Sequence, residues 1–140
     1  TIDHRGPIPE ELREPMGGVA FGCDICQEVC PHNRPENLPE AGDPELAARA
    51  ENLRPETWRL LQECLDDFSG RFRKSAVKRA KASGMIRNLL IAIGNGGRPG
   101  DLAHLEVLKN DSRIAADPVF VETLAWASSR IRGMAPAVSA

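Results

Sequence analysis

Beyond residue 42 the apolar positions recur at helical spacing; before it they do not. Asp43 can cap a helix opened by Pro44 and running to about Ala50. Pro55 opens a second, with Trp58, Leu61, Leu65 and Phe68 on one stripe. Ser83 can cap a helix over Gly84–Ile93 whose apolar face is Met85, Leu89, Leu90 and Ile93, and Gly94-Asn95-Gly96-Gly97 stops it. Leu102, Leu105 and Leu108 mark a shorter helix within Pro99–Leu108, a turn follows at Asn110-Asp111, and Asp117-Pro118 opens the last helix, Val119 to about Ile131. The tail after Gly133 reads as frayed. Residues 1–40 are broken by Gly and Pro and leave room for only one or two helical turns, at Pro9–Arg13. The pattern predicts a mainly α chain in two parts, 1–40 and 41–140.

Ile86–Ala92 aligns with Val121–Ala127 at an offset of 35 residues, each copy after a shorter amphipathic segment. That is the signature of stacked helix pairs, which bury a shared face only against neighbours. Composition agrees. Of 140 residues, 41% are hydrophobic but only 4% aromatic, with no Tyr, so the core is aliphatic, which suits helices better than a β-sandwich. No run of about 18 apolar residues exists to span a membrane, and no secretory signal peptide is present. The chain begins at Thr1 and reads as a piece of a longer protein.

The net charge of −2 conceals an asymmetry: residues 1–70 carry 6 basic and 15 acidic side chains, residues 71–140 carry 12 and 5. Arg71, Arg73, Lys74, Lys78, Arg79, Lys81 and Arg87 form a basic block with no acidic residue from 68 to 100. Such a block is an electrostatic footprint for phosphates, or equally a solvated helix face balanced by the acidic half.

Three of the four cysteines, Cys23, Cys26 and Cys30, lie within eight residues; Cys64 stands alone and reads as a small core residue. Gly22–Pro31 spells C-x2-C-x3-C-P, the last three cysteines of the bacterial ferredoxin run, with Ala20 where the first would stand. In two-cluster ferredoxins the cysteine before Pro ligates the other cluster, so Cys23 and Cys26 are expected on one 4Fe-4S cluster and Cys30 on a second. Two such clusters need about eight thiolates, so the remaining ligands belong to chain beyond this one. Zinc on Cys23, Cys26, Cys30 and His32 is the competing reading; the C-P ending and the lack of a second ligand pair weigh against it.

Two stretches, Thr1-Ile2-Asp3-His4-Arg5-Gly6-Pro7-Ile8-Pro9-Glu10-Glu11-Leu12 and Phe21-Gly22-Cys23-Asp24-Ile25-Cys26-Gln27-Glu28-Val29-Cys30-Pro31-His32-Asn33, resemble the epoxyqueuosine reductases, and Ser75–Asn95 resembles that family's C-terminal helical segment. The likeness runs from residue 1 to about 132. It implies a cytoplasmic, monomeric oxidoreductase that reduces epoxyqueuosine to queuosine in tRNA, with an N-terminal cobalamin domain, a ferredoxin-like module holding two 4Fe-4S clusters, and HEAT-like helical repeats. The chain would then be a partial ferredoxin-like iron–sulfur segment (1–40) followed by a HEAT-like domain with a basic face (41–140). By the resemblance Cys23, Cys26 and Cys30 are cluster ligands. Arg73, Lys74, Lys78, Arg79, Lys81 and Arg87 would hold the anticodon stem-loop of tRNA by its phosphates. An electron donor is a further partner. Cobalamin and the family's acidic proton donor lie outside these residues, so no catalytic residue is expected here. His32 stands where the family usually has Trp and is read as without effect. His4-Arg5 could order the loop beside the cofactors, although a structural histidine is the plainer reading. Asn88 could reach a backbone oxygen or serve as a packing amide, and His104 has no role. Two alternatives are a reductive dehalogenase and a non-catalytic iron–sulfur or zinc module fused to a HEAT-like interaction scaffold.

Overall fold

The structure, a computed structural model, describes residues 1–37 and 56–134. Its helices are α1 (Glu10–Arg13), α2 (Ile25–Glu28), α3 (Thr57–Arg71), α4 (Lys81–Gly96), α5 (Leu102–Lys109), α6 (Ser112–Ala115) and α7 (Pro118–Met134), and no strand occurs among the described residues. Short 3-10 turns cover Pro31–Asn33, Pro35–Asn37, Ala76–Ala80 and Pro99–Asp101. The mainly α expectation is met. The expected helix from Asp43 to Ala50 and the boundary at 40/41 lie outside the described residues. No described helix is long and apolar enough to cross a membrane.

Helix α4 is the centre of the molecule. It is buried without interruption from Gly84 to Gly94, because α3 packs on one side and α7 on the other. Each of Leu89, Leu90, Ile91 and Ile93 stabilises the fold by about 1.5–3 kcal/mol through area removed from water. α3 contributes Leu60, Leu61, Cys64 and Phe68; α5 to α7 contribute Leu105, Ile114, Phe120, Leu124 and Ile131.

Side-chain carboxylates start α3, α6 and α7. Glu56 accepts from the N–H groups of Trp58 (3.0 Å) and Arg59 (2.6 Å) and caps α3, which starts at Thr57, two residues past the expected Pro55. Asp117 accepts from Val119 N–H (2.9 Å) ahead of Pro118, as the Asp-Pro pair predicts. Asp111 likewise caps α6 through Arg113 N–H (2.9 Å), a helix not foreseen between the turn and α7.

α4 departs from its expected bounds at both ends. It starts at Lys81 rather than after Ser83, and it runs through Gly94-Asn95 instead of stopping there. Gly94 is a contact point: a Cβ there would stand 2.6 Å from Trp126 and 2.9 Å from the backbone of Ala127. The two copies of the weak repeat therefore lie on helices that pack against each other, α4 and α7. α7 also extends to Met134, past the expected frayed point.

The N-terminal segment is joined to these helices by a polar seam. Asn95 donates to the carbonyls of Arg13 (2.7 Å) and Gly17 (2.9 Å). Arg13, only 3% exposed, donates to Ile8 O (2.8 Å) and pairs with Glu122 across its contact with the Trp126 ring. Ile8, Ala20 and Phe21 add apolar contact.

Candidate metal centre and nucleic-acid interface

The cysteine arm runs from Gly22 to Asn33. Gly22 has φ +69°, a left-handed conformation that glycine adopts without a Cβ clash, and it turns the chain into Cys23. Gln27 and Glu28 N–H groups both bond to Asp24 O (2.8 and 2.9 Å), winding the single turn of α2 between Cys23 and Cys30. Asn33 closes the arm by donating to Gln27 Oε1 (2.6 Å).

Cys23 and Cys26 are exposed, Cys30 is half-buried, and all three are free thiols. Their neighbours Ile25 and Val29 are also exposed, at 61% and 75%. Among the described residues no three His, Cys, Asp or Glu side chains converge to hold a metal ion. Three free thiols, two of them exposed, are soft donors and would make a partial ligand set for an iron–sulfur group. A cavity of about 550 Å³, lined in part by Thr1, His4, Met16 and Val19, reaches Cys23 and Ile25.

Cys64 is not part of this arm. It is a core residue of α3, 3% exposed, and burial pushes its thiol up to about 11. His32 is exposed. His4 shares a 2.9 Å hydrogen bond with Pro7 O, within its own loop, and His104 lies against Trp58 with ring centroids 5.4 Å apart and planes tilted by 49°.

The basic segment lies between α3 and α4. Arg73, Lys74, Lys78, Arg79 and Lys81 are exposed along the loop and 3-10 turn. Lys74 and Lys81, which bracket the turn, both have positive φ, 57° and 58°. Such a backbone costs a non-glycine residue about 1–3 kcal/mol, and strain of this kind gathers at functional sites.

Arg87 departs from the expected phosphate-binding group. It is 1% exposed, and all five guanidinium N–H donors are taken. Nη1 donates to His4 O (2.9 Å) and Gly6 O (2.7 Å), Nη2 to Thr1 O (3.0 Å) and Asn88 Oδ1 (2.9 Å), and Nε to Asn88 Oδ1 (3.1 Å). Burial, then the nearby charge of Arg5, lowers its pKa. A side chain so placed has no donor left for a phosphate. Asn88, fully buried, completes the arrangement by donating to Ala20 O (2.8 Å). Sequence reasoning missed this seam, although the adjacent Arg-Asn pair inside an apolar run was the available signal.

A family described as a 4Fe-4S double cluster binding domain matches residues 1–33. Epoxyqueuosine reductases match much more of the chain. Those of Shigella dysenteriae and Escherichia coli are each 36% identical over 127 residues, covering 91% of this chain and 32% of theirs. That of Pseudomonas aeruginosa is 38% identical over 109 residues, covering 78% of this chain and 29% of its own. No solved structure matches. The chain thus spans about a third of the length of the curated relatives it matches. With the cysteine arm inside the matched region, this chain is similar to the epoxyqueuosine reductases along most of its length and fits a C-terminal part of them.

Proposed function

We propose that this chain is the cluster-carrying and RNA-holding part of an epoxyqueuosine reductase, an oxidoreductase that converts epoxyqueuosine to queuosine in tRNA. The observation that carries the reading is the match along 91% of the chain, with three free thiols in a ferredoxin-type run inside it. Cys23 and Cys26 would hold one 4Fe-4S cluster and Cys30 a second. The clusters, when bound, would relay single electrons from an external donor toward a cobalamin outside this chain.

The basic segment would grip the anticodon stem-loop. Arg73, Lys74, Lys78, Arg79 and Lys81 offer a row of exposed cations, which contact phosphates and fix position rather than sequence. The strained lysines at its ends support a selected role for the segment. α3 with α4, and α5 with α7, would be the helix pairs of a HEAT-like scaffold, and the 35-residue repeat supports that reading.

Two measurements on the intact protein test this. Cys23→Ser should lose most of the iron and sulfide of one cluster after anaerobic reconstitution; unchanged content overturns the ligand assignment. Neutralising Lys78, Arg79 and Lys81 together should weaken tRNA binding and reduce the slope of log K against log salt by about 2–3. An unchanged slope would leave the segment a solvated face.

A further inference from the structure

Cys23 lies three residues after a carbonyl that is held from the core. Ala20 O accepts from the fully buried amide of Asn88 at 2.8 Å. The amide's other end is fixed too, because Oδ1 accepts twice from Arg87, at 3.1 and 2.9 Å. Arg87 in turn spans to the carbonyls of Thr1, His4 and Gly6. Two adjacent residues of α4 therefore hold both stretches of chain beside Cys23: Thr1–Gly6 and Ala20.

The polar pair is costly to bury and would serve packing alone poorly. Sealing an arginine inside an apolar helix carries a desolvation penalty that an aliphatic residue avoids. In return the pair gives a direction: the amide can satisfy Ala20 O in only one orientation, because Arg87 claims its oxygen. Such a network specifies one loop position. Thr1 and His4, from the stretch held by Arg87, also line one cavity with Gly22 and Cys23, which follow closely after Ala20 in the chain.

We propose that Asn88, oriented by Arg87, is a positioning residue for the iron–sulfur arm: it sets the place of the Ala20–Cys23 segment and so the surroundings of the cluster bound there. This rests on the cluster reading above. Cluster potentials respond to hydrogen bonds at sulfur and to solvent exposure, both of which change if the segment moves.

The test uses the full-length, reconstituted protein. Asn88→Asp keeps an acceptor for Arg87 and removes the donor to Ala20. It should retain full iron content and helical signal, yet shift the midpoint potential and the EPR g-values of the reduced cluster. Ser128→Ala is the control, a buried hydroxyl on α7 that bonds to Leu124 O of its own helix; it should leave potential and spectrum unchanged. An Asn88→Asp protein with native potential and spectrum overturns the proposal. If Cys23→Ser retains all its iron, the cluster reading fails instead, and the two failures are separable. Should Asn88→Asp not fold, hydrogen exchange on the unaltered protein decides. Amides around Ala20–Gly22 should open together with those of α4, and fast independent exchange of the loop overturns the proposal.

Discussion

Arg79 grips Asp3 at two points: Nε donates to Oδ1 at 3.0 Å and Nη2 to Oδ2 at 2.8 Å. The same N-terminal stretch reaches the turn a second time, where Arg5 donates to the carbonyls of Ala80 (2.8 Å) and Arg79 (3.1 Å). The C-terminal end of the basic segment is therefore tied to the arm that leads to the cysteines.

Asp3 neutralises one cation of the proposed RNA grip, so Asp3→Asn should tighten tRNA binding a few-fold at low salt and steepen its salt dependence. The hydrogen bond from Arg79 lowers the Asp3 pKa from the usual 3.8. The tie is thus complete above that value and is lost only as pH falls through the lower folded value. The effect of Asp3→Asn should accordingly be the same at pH 6 and pH 8. Both side chains are largely exposed, so the melting temperature should barely move. Titrating labelled anticodon stem-loop at two salt concentrations checks this.

Cys64 should behave unlike the other three cysteines. Its thiol stays protonated to about pH 11 in the fold, against a usual value near 9, because burial disfavours the thiolate. In cluster-free protein a thiol reagent at neutral pH should label Cys23, Cys26 and Cys30 quickly and Cys64 only on unfolding. Since the folded pKa is the higher one, the stabilising difference is present below pH 9 and is lost as pH rises toward 11. The loss is on the order of 2–3 kcal/mol. Cys64→Ala should remove that alkaline component from the pH dependence of denaturant midpoints.

Gly94→Ala tests the α4–α7 contact. A Cβ placed 2.9 Å from the Ala127 Cα cannot be accommodated by a rotamer change, since the obstacle is backbone. The helices must separate, at a cost of about 1–3 kcal/mol despite the better helix propensity of alanine. Gly100→Ala is the control, with open space around its Cβ position. A melting temperature for Gly94→Ala equal to that of the control would place the helices farther apart than the structure has them.

Local signals were legible and long-range ones were not. The Asp-Pro cap of α7, the single helical turn after Pro9 and the C-x2-C-x3-C-P run each rest on residues a few positions apart, and the fold keeps the first two. Arg87 could not be read that way. As a letter it belonged to the basic block, but its partners stand more than 80 positions earlier, at Thr1, His4 and Gly6. Gly94 was ambiguous for a different reason. The same residue type ends helices and lets helices approach, and only the arrival of α7 decides between them. α6 rests on one Asp cap and one buried Ile114, too little periodicity to register.

Lys81 offers a way to separate fold from function. Its φ of 58° and ψ of 166° lie in a region essentially open only to glycine. Lys81→Gly should relieve that strain and raise stability by about 1 kcal/mol, read as a melting temperature a few degrees higher. On the proposed reading the same change deletes a phosphate contact, so tRNA binding should weaken and the salt slope should fall by about 1. Lys81→Ala removes the charge but keeps the strained backbone, and it should weaken binding equally without the thermal gain. A protein that gained stability and kept its full tRNA affinity in Lys81→Gly would remove Lys81 from the interface.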